Sequence, residues 1–313
     1  MEKHRIQINT VKDRLNFALH AGVNTAMLGA TVIGCGYSNY ATYNGAPTAR
    51  MLFAGFPAAV GAAWGAWRLC AVVTACCRNT SGFSDIEPGI HAQKAEKDSF
   101  LQQTVRELSE RLGLKKVPDI HILSGGIHDE GINAYASPLD GITASKSFTT
   151  LLTPKDQEAI ISHELVHLKE RHAFKQLAVN TIGSMARYTL FADIVENGVD
   201  VASLITHGNA PLMEAGMHAA IIIGSMAAFF GSMAVRFFDK RYARSLEYQS
   251  DRGATQMVPP AQLIDALLKV RNDDIIRCGP DAVRMQETLD MFSVHPALPK
   301  RITRLRAMQK TLK

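Results

Sequence analysis

Four long apolar stretches, set among charged sequence, constrain the fold of this chain more than any other feature. Residues 15–37 carry no charge, and residues 51–77 carry only Arg68. A third stretch, 174–194, is interrupted by Lys175, Asn180 and Arg187, and a fourth, 212–238, by Glu214, His218 and Arg236. A helix needs roughly 20 apolar residues to cross a bilayer, so each is long enough for one span. Trp64 and Trp67 sit just before Arg68, as at a membrane–water interface. Small residues Ala220, Gly224, Ala227 and Gly231 form a seam suited to close helix packing in lipid. Buried helices of a soluble core are the competing reading, and for 174–194 a surface or re-entrant helix.

The charges suggest an orientation. Lys3, Arg5, Lys12 and Arg14 precede the first stretch, and basic residues cluster again from Arg236 to Arg244. The segment near 38–50 has only Arg50, and 196–211 has neither lysine nor arginine. The expectation is that both loops lie outside and that the N-terminus and the region around residue 163 face the cytoplasm. The net charge of +5 is spread beside apolar sequence rather than gathered on one stripe, which argues against nucleic acid as a partner. The N-terminal stretch is too long for a cleavable signal peptide. Cys35, Cys70, Cys76, Cys77 and Cys278 include no C-x-x-C pair, so they read as free thiols rather than a thiolate metal site.

Between the apolar stretches the pattern is that of a folded α+β domain. After a linker at 79–89, Phe100, Leu101, Val105, Leu108 and Leu112 recur at helical spacing, with Gly113 as the stop. Ile120 and Ile122 alternate with His121 and Leu123, and residues 132–136 and 141–145 flank Asp140-Gly141, a hairpin signal. Thr153-Pro154-Lys155-Asp156 opens a helix: threonine caps, proline suits the first turn, and aspartate favours the positive helix end.

That helix carries His163-Glu164-Leu165-Val166-His167. Residues four apart lie one turn apart on the same face, so both imidazoles can reach one Zn²⁺, while Glu164 flanks them and is placed to take a proton from the attacking water. A catalytic zinc usually has a third protein ligand. The metzincin spacing would put glycine and histidine where this chain has Glu170 and Ala173, and a thermolysin-like glutamate would fall near Arg187. Glu247 is the remaining candidate, with Asp251 four residues on to accept a hydrogen bond from a ligand histidine. By spacing alone, this pair reads equally as a solvated helix surface beside Arg244 and Arg252.

Four blocks, in order, resemble the HtpX-type membrane metalloproteases, relatives of the CAAX prenyl endopeptidases. They are Asn133-Ala134-Tyr135-Ala136, the run from His163 to His172, Glu247-Tyr248-Gln249-Ser250-Asp251, and His295-Pro296 through Arg301-Ile302. Val166 stands where that family usually has glycine, which would narrow the space beside the metal, and Ser250 where it usually has alanine. The resemblance implies an α-rich α+β fold: a zincin-like domain with a small β-sheet and about four transmembrane helices. Residues 1–78 would form an N-terminal membrane region, and 79–313 a protease domain with a membrane insertion. It implies one Zn²⁺ held by His163, His167 and Glu247, with Asp251 behind them. His295 would stabilise the tetrahedral intermediate, Arg301 would support that pocket, and residues 133–136 would hold the substrate strand. The expected activity is endopeptidase cleavage of misfolded or membrane-associated polypeptides in a bacterial cell membrane, with the site on the cytoplasmic side. A prenyl-protein endopeptidase and an inactive membrane scaffold are the alternatives. Oligomeric state is not legible.

Overall fold

The computed structural model describes residues 91–311, except 97–98, 125–130, 138–140, 208–211 and 289–294, together with Ala18, Thr25, Leu28 and Ala63 upstream. The apolar stretches 15–37 and 51–77 and the segment 38–50 otherwise lie outside the described residues. The chain divides into two compact units. One holds Met1–Arg14, Thr74–Gln176 and Lys240–Lys313; the other holds Leu15–Val73 and Leu177–Asp239.

The first unit contains a four-stranded mixed sheet. Its strands are β1 (His91–Lys94), β2 (Asp119–Ser124), β3 (Ala134–Ser137) and β4 (Gly141–Ser145), in the order β1-β2-β4-β3. The central pair, β2 and β4, is parallel, and both edge strands run antiparallel to their neighbours. β3 and β4 pair from Ala134↔Ala144 to Ser137↔Gly141, the hairpin expected around Asp140-Gly141. The strand β1 was not foreseen: its four residues are too short and polar for alternation to show. Ser145 ends the sheet and starts α2 (Lys146–Leu151), its hydroxyl accepting from Phe148 N and Asn133 N and donating to Gly131 O.

Helix α1 (Phe100–Leu112) forms where its apolar period predicts. Ser99 caps its start, and Gly113, at φ 71, supplies the left-handed residue that ends it. Val105, Leu108 and Leu112 enter the core, and Gln102 bridges to the sheet by donating to Pro118 O and accepting from Ile120 N. Helix α3 (Pro154–Lys169) lies at the centre of this unit. Ile161, Leu165 and Val166 are fully buried in the core cluster with Ile120, Ile142 and Leu263. Val166 therefore packs into the core; it is not among the residues that line the cavity described below. Helices α6 (Pro260–Cys278), α7 (Pro280–Thr288) and α8 (Leu298–Thr311) complete the unit, with α6 contributing Leu263, Ile264 and Leu267 to the core and α8 contributing Ile302 and Leu305.

Two long helices, α4 (His172–His207) and α5 (Leu212–Ala254), belong in sequence to both units. They include the stretches 174–194 and 212–238. Helix α4 continues through Glu196 to His207, where the sequence suggested a loop from 196: its charges Asp193, Glu196 and Asp200 ended the apolar run without breaking the helix. Among the described residues, no helix is long and apolar enough to cross a membrane.

The start of α3 is closed by a capping box: Thr153 accepts from Asp156 N, and Asp156 accepts from Thr153 N. Lys269 of α6 lies 2.5 Å from the same carboxylate. Burial works against the Asp156 charge, but the hydrogen bonds from Lys269 and Thr153 outweigh it and hold its pKa below the usual value. A depressed folded pKa stabilises above the unfolded value and ceases to do so as pH falls through the folded one. Asp156→Asn is expected to destabilise the protein by about 1 kcal/mol at pH 7. As pH falls through and below the ordinary carboxylate range, the gap from wild type should close. Thermal melts of the two proteins across this range check both statements.

Candidate metal centre

Two elements of the first unit supply the ligand atoms. On α3, His163 and His167 are one turn apart and their Nε2 atoms are 3.0 Å apart. On α5, Glu247 places Oε2 3.4 Å from His163 Nε2 and Oε1 3.5 Å from His167 Nε2. All three ligand atoms lie within 4.8 Å of one another. Two imidazole nitrogens and a carboxylate are the donor set of a catalytic zinc site, which leaves a further position open. His163 and Glu247 are buried.

The surroundings bias these groups toward holding a cation. His163 Nδ1 faces Asp251 Oδ1 at 3.0 Å, which directs the Nδ1 proton to the carboxylate and the Nε2 lone pair to the cluster. Asp251 is gripped in turn by Arg301, whose Nε and one terminal nitrogen donate to its two oxygens at 2.9 and 2.6 Å. Burial would raise the Asp251 pKa, but Arg301 and His163 hold it down at about 2. Burial would likewise lower His163, yet hydrogen bonds with Asp251 and Glu247 raise it to about 9. Glu247 stays ionised, well below the usual carboxylate range: burial opposes its charge, and hydrogen bonds from His163 and His295 overcome it. The cluster thus attracts positive charge, and its residues fit a divalent cation. His167, by contrast, is lowered to about 3 by burial, so it offers a bare nitrogen.

Glu164 does not point into the ligand cluster. Its Oε2 accepts from Ala136 N at 2.8 Å, tying the helix to the edge strand β3. Desolvation raises its pKa to about 7, the range suited to exchanging protons at neutral pH. On β3 the peptide groups alternate. Asn133 O accepts from Ser145 N and so faces β4, which turns the Ala134 and Ala136 peptide groups to the outer edge. That edge opens on a cavity of about 1040 Å³, also lined by His163, Glu164, His167 and Glu247. Upstream, Asp273 of α6 accepts from Ile132 N at 2.9 Å and anchors the lead into the strand.

The residues named from resemblance also converge here. His295 is exposed at the rim, its Nδ1 3.3 Å from Glu247 Oε1. Arg301 has its main partner in Asp251 and stands 3.7 Å from Glu247, so it acts first on the carboxylate behind His163. Sequence reasoning missed His172, whose Nδ1 is 3.1 Å from His167 Nδ1, and Gln249, which contacts the far side of His172. His172 lies five positions after His167, a spacing that no continuous helix brings together. Ser250, where the resembling family usually has alanine, places its hydroxyl 3.2 Å from His172 Nδ1.

Comparison with known proteins agrees with this geometry. Residues 95–309 match Peptidase family M48. A protease HtpX homolog from Bacteroides fragilis is 27% identical over 215 residues, covering 66% of this chain and 62% of its own length, so the match spans less than two thirds of that relative. A protease HtpX homolog from Neisseria meningitidis is 24% identical over 235 residues, covering 70% of this chain and 76% of its own. The crystal structure of S. mikatae Ste24p superposes with a TM-score of 0.52 at 17% identity, over 95% of this chain and 67% of that one, a likeness of fold.

Glu170 is a competing carboxylate close to His167 in sequence. It caps the end of α3, lies 3.6 Å from Lys175 and is not part of the three-residue ligand group. Glu247→Ala is expected to lose bound metal, and Glu170→Ala to keep it. Metal content after dialysis against a weak chelator distinguishes the two.

Proposed function

This chain belongs to peptidase family M48 and is built as a metallopeptidase around His163, His167 and Glu247, and from that premise we propose that it is a zinc-dependent endopeptidase acting on extended segments of membrane-associated or misfolded polypeptides. The observation that carries the reading is the coupling of the cluster to an open strand edge. Glu164 is bonded to Ala136, and Ala136 is on the outer strand of the sheet.

The substrate would add to β3 as a further strand, meeting the outward N–H and C=O of Ala134 and the C=O of Ala136. This places a scissile carbonyl beside Glu164, within the cavity that both share. One Zn²⁺ held by His163, His167 and Glu247 would supply Lewis-acid chemistry, acidifying water and polarising that carbonyl. Glu164 removes a proton from the attacking water as the new C–O bond forms. It then hands the proton to the leaving amine as the C–N bond breaks. His295, held at the rim by Glu247, donates a hydrogen bond to the oxyanion that develops. Arg301 acts through Asp251, keeping that carboxylate ionised and the ring of His163 in place.

Membrane association belongs to the same proposal. On α5, Ile223, Met226, Phe230 and Met233 are exposed at spacings of three and four, one face of the helix, and on α4 Phe191 and Val195 are exposed four apart. Large apolar side chains in such stripes suit contact with lipid. We place membrane-spanning segments at 15–37 and 51–77 and a membrane-contacting insertion along 174–194 and 212–238, with the site on the cytoplasmic side. Support for this topology comes from the distribution of lysine and arginine.

Glu164→Gln is expected to lower casein cleavage by roughly 10²–10⁴-fold while metal content stays at the wild-type level; turnover within tenfold of wild type would reject the role of this carboxylate. Ala134→Pro removes an outward N–H from the edge strand and should cut cleavage with metal retained. Unchanged cleavage in the folded proline variant would remove β3 as the substrate strand. The protein is expected to stay with membranes after an alkaline carbonate wash, and its release would count against the spans.

A further inference from the structure

The two imidazoles at the cluster are backed differently. His163 hands its second nitrogen to a carboxylate, Asp251. Among the described residues His167 has no such carboxylate: its Nδ1 lies 3.1 Å from Nδ1 of His172, with the two rings nearly perpendicular at 89°. His172 is only 2% exposed, and its Nε2 lies 3.1 Å from Gln249 Oε1. These atoms form a line of hydrogen bonds running from α5, through the first residue of α4, to the end of α3.

A sharp reversal of the chain makes this possible. Helix α3 ends at Lys169, and Arg171 adopts φ 52, a left-handed conformation that is strained for a side-chain-bearing residue. The reversal starts α4 at His172 and lets its ring reach back to His167. In an uninterrupted helix, five residues would separate the rings by about 140° around the axis.

With a cation on His167 Nε2, hydrogen-bond parity sets the protons along the line, and Ser250 Oγ, 3.2 Å from His172 Nδ1, is then a second donor to that nitrogen. If His167 Nε2 is to bind a cation, its proton must sit on Nδ1 and be donated to His172 Nδ1. His172 must then carry its own proton on Nε2 and donate it to an acceptor, and the acceptor at that point is the side-chain oxygen of Gln249. The amide nitrogen of Gln249 has no hydrogen-bond partner among the described residues, so nothing recorded on that side opposes this orientation. The opposite polarity would leave a proton on His167 Nε2, pointing into the cluster and excluding a cation.

We infer that His172 is a positioning residue for the metal: it fixes the tautomer and ring plane of the ligand His167, and Gln249 fixes His172 in turn. The inference rests on the metallopeptidase reading above. It assigns the last histidine of the run from His163 to His172 a role outside the ligand set and gives Gln249 a reason to be an amide rather than an apolar core residue.

The test compares wild type, His172→Ala, His172→Asn, Gln249→Leu and Glu247→Ala, each as the full chain purified in detergent. Metal affinity is read by chelator competition with Zn²⁺, and site geometry by the visible absorption of Co²⁺. Loss of a partner behind a metal-binding histidine weakens affinity by roughly 10–100-fold, which is the fall expected for His172→Ala, with altered Co²⁺ bands. His172→Asn places an amide oxygen near the position of the lost Nδ1 and should recover most of the affinity. Gln249→Leu should weaken binding by a smaller factor. Wild-type affinity and Co²⁺ bands in His172→Ala, alongside metal loss in Glu247→Ala, would overturn the inference. So would an asparagine variant no better than alanine, since that leaves only a packing role. Metal retained by Glu247→Ala would instead overturn the metal assignment itself. If His172→Ala does not fold, Gln249→Leu decides: undiminished affinity there refutes the relay.

Discussion

The burial of Glu247 between His163 and His167 is the interaction on which the rest of the first unit depends. A carboxylate removed from water is costly unless it is paired. Here it faces two imidazoles at about 3.4–3.5 Å, with Arg301 at 3.7 Å and His295 at 3.3 Å. Asp251 and Arg301 compensate each other one helical turn further along. Because acids and bases are drawn from α3, α5, α8 and the segment before α8, pairing these charges also brings those elements together. The chemistry and the architecture of this unit therefore share one set of contacts.

Glu164 differs from its neighbours in having a backbone partner. Its bond to Ala136 N takes one outward group of β3 and leaves the adjacent Ala134 peptide at the open edge. An unpaired edge strand ordinarily invites aggregation. In this protein the edge lines the same cavity as the cluster, so it is not left as a bare surface edge. The anchoring of Ile132 N by Asp273, and of Gly131 and Asn133 by Ser145, keeps the edge in register with Glu164.

Sequence and structure agree most closely where the signal is local. The cap at Thr153, the stop at Gly113, the strands around Asp140-Gly141 and the face shared by His163 and His167 each follow from spacing within a few residues. The short polar strand β1 and the continuation of α4 to His207 did not, because neither has a period that composition reveals. Val166 was expected beside the metal, but one position's rotation around α3 turns it into the core.

By itself the sequence determined the helix that carries two ligand nitrogens on one face, since helical geometry alone sets that relation. It narrowed the third ligand to Glu247 without distinguishing it from a solvated carboxylate. Only tertiary structure decided that question, because the closure of α5 against α3 places Glu247 84 residues away in sequence yet within a few ångströms in space. The same holds for His172 and Gln249: their contact depends on a chain reversal at Arg171 and on the packing of a distant helix, and hydrogen bonds across such distances leave no period in a sequence to be read.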